Sequence, residues 1–414
     1  VNARSTRRNW WLAGGALFVS FATLVAAACF TLGVVQAEPG EAEAVASTGW
    51  FAAALDDGAA HAAGAVALAQ AKAQLAKGSN LKTAQRGALA GVPLSSVAYR
   101  LAGGSPPSLS EVASGTFEAS VVTQYRLDVD PVVVRREVAA TFELGPQGWR
   151  VAEVTSSDAD LWSYGPVTSA RDGKSLVIGS QVFAGRLPSL ASQAEAARLE
   201  VDSFWTQPWS GAVVVAFPAK AQWMDGLIGD ESASKFPAVA TRDSGRDGPV
   251  NRVTVNPKVF ESQPYIGQQI LLRHEITHVA QSALPGQKTV PLWLVEGLAT
   301  YVGYRGSGVP DSVIGRLVLS EVRSDGLPPR LPSDAQFDFD RSAPTRGLAY
   351  EKGWSVCAAI VAEFGESQLV PFYAAVAESE GTANERIDAA AQQVLGVSGD
   401  ELLEQWQSWL QANA

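Results

Sequence analysis

Between Ser95 and Val154 apolar and polar residues alternate with a period of two, as in the Val121, Thr123, Tyr125, Leu127, Val129 series. That period puts successive side chains on opposite faces of a strand. Four strands follow from it, over Ser95 to Leu101, Phe117 to Val129, Val132 to Leu144 and Trp149 to Val154. Asp128-Val129-Asp130-Pro131 and Gly145-Pro146-Gln147-Gly148 carry the residues that favour turns between them. Before the strands, an Ala-rich stretch from Trp50 to Lys77 has the composition of a helix, with Gly78-Ser79-Asn80 as its stop. A helix followed by an antiparallel meander predicts a small α+β domain over residues 48–156.

In element order that segment resembles the cone-shaped scaffold of the cystatin and nuclear-transport-factor superfamilies, a resemblance that implies a spacer or substrate-positioning module and no activity of its own. After a linker or hairpin at 156–174 the pattern changes. A strand is predicted at Ser175 to Gly179, then a helix from Pro188 to Trp205 with Leu190, Ala194, Ala197 and Val201 on one stripe. Short β-like runs follow at Ala212 to Phe217, Ala238 to Thr241 and Val253 to Val255. From Ser262 onward the periodicity is helical. Thr382-Ala383-Asn384-Glu385 and Ser398-Gly399-Asp400-Glu401 read as capping boxes, and Leu402, Trp406 and Leu410 as a core stripe. The fold class expected for the exported part is therefore α+β: a helix-plus-antiparallel-sheet domain, then a domain whose short sheet gives way to a helical lobe.

Trp10 to Val35 is 26 residues without a charge, about 39 Å as a helix, enough to span a bilayer. Arg4, Arg7 and Arg8 precede it and Glu38, Glu41 and Glu43 follow it, which predicts a single-pass anchor in residues 1–37, with the N-terminus cytoplasmic and the bulk of the chain outside the cell membrane. A cleaved leader would end near Val35-Gln36-Ala37, and a lipidated one would use Cys29. The length of the apolar run favours the uncleaved anchor.

Charge and composition narrow the chemistry. Three of the 32 basic residues precede Trp10, so the exported part sets 29 basic against 42 acidic side chains. Such a surface excludes a nucleic-acid backbone as partner. Two cysteines, Cys29 and Cys357, rule out a disulfide framework or a CxxC zinc knuckle. Cys357, among apolar neighbours, reads as a buried thiol. Any imidazole chemistry must use His61, His274 or His278. His61 sits alone in the Ala-rich stretch and reads as a surface or packing residue.

The other two stand four residues apart in Gln269-Ile270-Leu271-Leu272-Arg273-His274-Glu275-Ile276-Thr277-His278-Val279-Ala280. On a helix, positions i and i+4 share a face, so both imidazoles can reach one metal ion, and the intervening Glu275 can face a water beside it. Ile266 and Ile270 extend the histidine row, while Leu272, Ile276, Val279 and Ala283 form a second apolar face, so the helix is expected to be buried on both sides. A catalytic zinc needs a third protein ligand. Glu296 follows in Val295-Glu296-Gly297-Leu298-Ala299-Thr300-Tyr301, on a helix opened by Pro291. Ala299 and Thr300 are small enough to let it approach the histidines.

His274-Glu275-Ile276-Thr277-His278 together with Glu296-Gly297-Leu298-Ala299 resembles the gluzincins, the thermolysin-like superfamily of zinc metallopeptidases, over residues 175–414, and membrane-anchored actinobacterial peptidase-like proteins in particular. The resemblance implies one Zn2+ held by His274, His278 and Glu296, with Glu275 as general base, and hydrolysis of peptide bonds in a peptide or protein substrate by zinc-activated water. It also implies that Val253 to Val255 is the edge strand that pairs with an extended substrate backbone, and that a hydrogen-bond donor serves the oxyanion. No histidine is left for that role, so a tyrosine is expected: Tyr350 first, with Tyr301 and Tyr304 as rivals. Thr300 stands where thermolysin-like enzymes have an acidic residue that orients a ligating histidine, so another acceptor is needed. The alternative is a zincin-fold binding or envelope scaffold protein without turnover, against which the retained Glu275 argues, since metal binding alone does not need it.

Overall fold

The computed structural model describes residues 64–65, 67–71, 91–102, 107–146, 148–155, 161–242, 250–338 and 343–414. The expected anchor and His61 lie outside them. Among the described residues no helix is long and apolar enough to cross a membrane.

The alternating segment forms the meander it predicts. Strands β1 (Leu94–Leu101), β2 (Thr116–Leu127), β3 (Val134–Gly145) and β4 (Gly148–Thr155) pair antiparallel in sequence order, with a short helix α1 (Leu109–Ser114) between the first two. Phe117, Val121, Tyr125, Phe142 and Trp149 are buried on one face, with Phe117 stacked on Phe142. This is the pattern of a sheet packed on one side.

A second sheet has the order β5-β6-β7-β9-β8: β5 (Val167–Asp172), β6 (Ser175–Ser180), β7 (Val213–Phe217), β8 (Ala238–Arg242) and β9 (Val250–Val255). Strands β6, β7 and β9 run parallel, while β5 and β8 flank them antiparallel. Helix α2 (Leu187–Phe204) makes the crossover from β6 to β7. The linker or hairpin expected at 156–174 is in part a hairpin: its mostly polar Val167–Asp172 stretch is strand β5, which pairs antiparallel with β6 across the Asp172–Ser175 turn. The expectation for Val253 to Val255 is corrected: β9 is interior and β8 is the edge. Every residue from Asn251 to Val255 is buried, polar Asn251, Arg252 and Thr254 included, as in a strand covered on both faces.

Both faces of this sheet are indeed packed. Leu176, Ile178 and Val214 join the core of the first sheet, along with Met224 of helix α3 (Trp223–Ile228). Val177, Val213, Val215, Val253 and Val255 face the helices. A buried ion pair adds to the seam between sheets: Asp130, in the β2–β3 turn, takes both terminal nitrogens of Arg252 at 2.6 and 2.8 Å and the Asn251 amide at 2.8 Å.

The remaining chain is helical: α4 (Pro257–Ser262), α5 (Tyr265–Gln281), α6 (Leu292–Tyr304), α7 (Asp311–Ile314), α8 (Arg316–Asp325), α9 (Ala343–Phe364), α10 (Leu369–Glu378), α11 (Ala383–Ala390) and α12 (Gly399–Asn413). Both expected capping boxes form, at Thr382 and Ser398. Leu402, Trp406 and Leu410 are core, and so is Cys357, whose thiol burial pushes up.

Candidate metal centre

Three helices and one strand meet at the histidines. Helix α5 lies against α2, the edge strand β8 and α6, and α6 in turn packs on α9. The close crossings depend on glycine. A Cβ on Gly303 would stand 3.0 Å from the Ile270 carbonyl oxygen and 3.6 Å from His274 Cβ, so its absence lets α6 come down onto α5 beside the first histidine. On the far side, a Cβ on Gly297 would stand 2.3 Å from the Gly353 carbonyl oxygen, so a glycine on each helix lets α6 and α9 meet backbone to backbone. The approach to the histidines expected from Ala299 and Thr300 is thus assisted by Gly303, while Gly297 serves the contact with α9. Asp334 Oδ1 takes the first amide of α6, and Arg273 donates to the Arg305 carbonyl just past its end.

This packing sets Glu296, one position before Gly297, opposite the histidine row. His274 Nε2 and His278 Nε2 lie 3.2 Å apart, and Glu296 Oε2 lies 3.4 Å from the first and 3.3 Å from the second. The triangle matches a known coordination size. Nitrogen and oxygen ligands held tetrahedrally at zinc distances are about 3.3 Å from one another. Glu296 Oε2 is buried and makes no directed hydrogen bond, which is costly for a carboxylate unless something else satisfies it. Three donor atoms converging on one point with that oxygen otherwise unsatisfied fit a divalent zinc-like cation, and they form a candidate three-ligand group.

Electrostatics follow from the burial. Burial disfavours charge on both Glu296 and His278, but their mutual attraction prevails: Glu296 falls to about 2 and His278 rises to about 9, helped by Glu275 and Gln281. Glu275, also buried, accepts a hydrogen bond from the Ala240 backbone on β8. Its pKa is raised by burial, with Glu296 adding to the rise and the histidines and Ala240 opposing it.

The three tyrosines separate by position. Tyr350 stands in α9 with its ring 6.3 Å from that of His274 and packed edge-on to Phe337. Burial and the nearby Glu296 and Glu275 push its pKa well above 10, which keeps it a neutral O–H donor. Helix α9 runs from Ala343, so Tyr350 lies about two turns into it. Tyr301 donates to Glu366, a carboxylate also held by Arg305, and Tyr304 packs beside Ile314 and Trp354.

Two neighbours were missed in the sequence. Gln281, fully buried, sits 2.8 Å from His278 Nδ1. Its only signal was a polar residue three positions after His278, one turn along the same face. Tyr373 on α10 is fully buried within electrostatic reach of Glu296 and had no signal at all. Thr300 Oγ1 is 3.5 Å from His274 Nδ1, at the limit of a hydrogen bond.

No family model and no curated protein matches the chain. Among solved structures it is similar to a mutant of an M1 zinc metallopeptidase from Deinococcus radiodurans, with a TM-score of 0.39 and 14% identity over 73% of this chain and 62% of that one. The chain thus spans less than two thirds of that enzyme's length. Likeness at this level carries no argument about the site, and the chemistry is argued from the residues themselves.

Proposed function

We propose that the chain is a zinc-dependent metallopeptidase, anchored in the cell membrane by its N-terminal apolar segment and acting outside the cell on peptide or protein substrates. One observation carries the reading: a buried carboxylate oxygen and two imidazole nitrogens converge at ligand spacing with a second carboxylate, Glu275, beside them.

In this reading His274, His278 and Glu296 hold one Zn2+. A zinc ion bound there would bring the pKa of a water toward neutrality and polarise a substrate carbonyl. Glu275 is the proton acceptor, held in place by the Ala240 amide, and can return the proton to the departing amine. Tyr350, neutral at any working pH, supplies a hydrogen bond to the oxygen on which charge develops. Strand β8, the edge of its sheet, is where an extended peptide would add as a further strand beside α5. Burial of Glu296 and partial burial of the histidines reduce the screening of these charges by bulk water.

The test is metal analysis of the full chain in detergent beside activity on a peptide library, for wild type and Glu275→Gln. One zinc per chain and peptide cleavage are expected, with cleavage falling about 100- to 10,000-fold in the variant while zinc content holds. Zinc without cleavage in the wild type would point to the binding or scaffold protein instead, and absence of both would sink the reading.

A further inference from the structure

The two histidines at the centre are held differently. His278 Nδ1 lies 2.8 Å from Gln281 Oε1, and Gln281 Nε2 donates to the Val295 carbonyl at 3.0 Å. A carbonyl can only accept, so the amide nitrogen of Gln281 must face Val295 and the amide oxygen must face the imidazole. That oxygen is also only an acceptor, so the proton between the two side chains belongs to His278 Nδ1. In the neutral ring Nε2 is then the bare nitrogen, and Nε2 is the atom 3.3 Å from Glu296 Oε2. A peptide carbonyl on α6 thereby dictates which nitrogen on α5 is free to bind a metal.

His274 has no equivalent. Its Nδ1 faces the Thr300 hydroxyl at 3.5 Å, and a hydroxyl can donate or accept, so it selects neither tautomer. Val295 directly precedes Glu296, so the Gln281 amide also ties the His278 ring to the backbone that carries the third donor. Gln281 adds this order without adding charge. Glu275 and Glu296 already match the two positive charges of a zinc ion, and a carboxylate in place of the amide would bring a third negative group into the same buried space.

We propose that Gln281 is a positioning residue of the metal centre, fixing His278 with Nδ1 protonated and strapping it to the segment that bears Glu296. The proposal rests on the zinc reading above and deepens it. Gln281 serves His278 from three residues further along the same helix, while His274 faces only the Thr300 hydroxyl.

The test is the zinc affinity of the full chain, measured by competition with a chromophoric chelator, for wild type, Gln281→Leu, Gln281→Glu and Thr300→Val. Thermal melting in EDTA and the visible spectrum of the Co2+-loaded protein accompany it. Gln281→Leu should bind zinc about 10- to 100-fold more weakly than wild type, with altered Co2+ bands. Gln281→Glu, which keeps an acceptor for the Nδ1 proton but adds a charge and cannot donate to the Val295 carbonyl, should fall between Gln281→Leu and wild type. Thr300→Val should change affinity less than about threefold, well short of the loss for removing an orienting partner. Should Gln281→Leu not melt cooperatively, Gln281→Met, of similar length and without an amide, replaces it with the same expectation. A folded Gln281→Leu or Gln281→Met with wild-type zinc affinity and an unchanged Co2+ spectrum would overturn the proposal, as would Gln281→Glu binding no better than Gln281→Leu or Thr300→Val losing as much as Gln281→Leu. These outcomes leave the zinc reading standing. Failure of the wild type itself to bind zinc would instead overturn that reading.

Discussion

The two sheets of this protein solve different problems. The four-stranded meander buries one face and spends its sequence on alternation, with Tyr125 and Phe142 inward and charged residues such as Arg126 and Arg135 exposed. The five-stranded sheet is covered on both faces, by the meander on one side and the helices on the other. The candidate metal ligands sit on neither face, but on α5, which packs against β8 and β9, and on α6 beside it. A sheet held from both sides makes a rigid floor, and a rigid floor is what a constellation of buried charges needs. The division predicts that damage to the meander or its seam should cost stability, while damage at the edge should cost activity first.

The sharpest separation is expected from Tyr350→Phe. Removing a donor to a developing oxyanion costs about 100- to 1,000-fold in kcat, and the variant should melt within a degree or so of wild type, since a single hydroxyl contributes only about 1 kcal/mol to stability. A lower melting temperature with kcat unchanged would place Tyr350 in the packing and not in the chemistry. The converse case is Asp130→Ala at the seam. It removes the carboxylate shared by Arg252, Asn251 and the Leu127 amide, which should lower unfolding free energy by about 3–5 kcal/mol in urea titrations. Activity per folded molecule should stay within about threefold, because surviving native molecules keep their site intact. A variant stable but inactive would show that the meander reaches into the active cleft.

Gly297→Ala falls between the two. The added methyl has only 2.3 Å to the Gly353 carbonyl oxygen, so the backbones of α6 and α9 must part, at about 1–3 kcal/mol. Because Glu296 is the adjacent residue, zinc affinity should fall together with melting temperature. An effect on one without the other would break the link between helix approach and ligand placement.

The smallest effect is a pH dependence in α2. Glu195 accepts from Arg198, Ser175 and the Lys174 amide. Burial would raise its pKa, but these partners outweigh burial and hold it below the ordinary carboxylate value. A depressed carboxylate contributes stability that is fully present above its unfolded pKa of about 4.3 and is lost as pH falls through the folded value. Glu195→Gln should therefore be less stable than wild type at pH 7, with the gap narrowing below about pH 4. A gap that does not change with pH would assign the effect to packing.

How much could be read in advance varied with the same division. The meander's strands were legible to within a residue or two, since one solvated face writes a period of two into the sequence. The interior sheet lost that signal: the interior place of β9 is set by β7 and β8 pairing on either side of it, and β5 lies in a mostly polar stretch whose partners are on β6. His274, Glu275, His278 and Glu296 were legible because helical spacing and the choice of residue types are local. Gln281 was not, because its role depends on the Val295 carbonyl, 14 residues away in sequence and on another helix. The glycines at 297 and 353 were similarly silent. Only the crossing of two helices shows that a methyl group would not fit.

The central claim is that His274, His278 and Glu296 hold a zinc ion. Crystals of the zinc-loaded protein, with data collected on both sides of the zinc absorption edge, test it directly. The account predicts one anomalous peak about 2.0–2.2 Å from His274 Nε2, His278 Nε2 and a Glu296 carboxylate oxygen. A zinc-loaded protein whose only peak lay elsewhere, or a peak at this position lacking one of the three atoms, would contradict it.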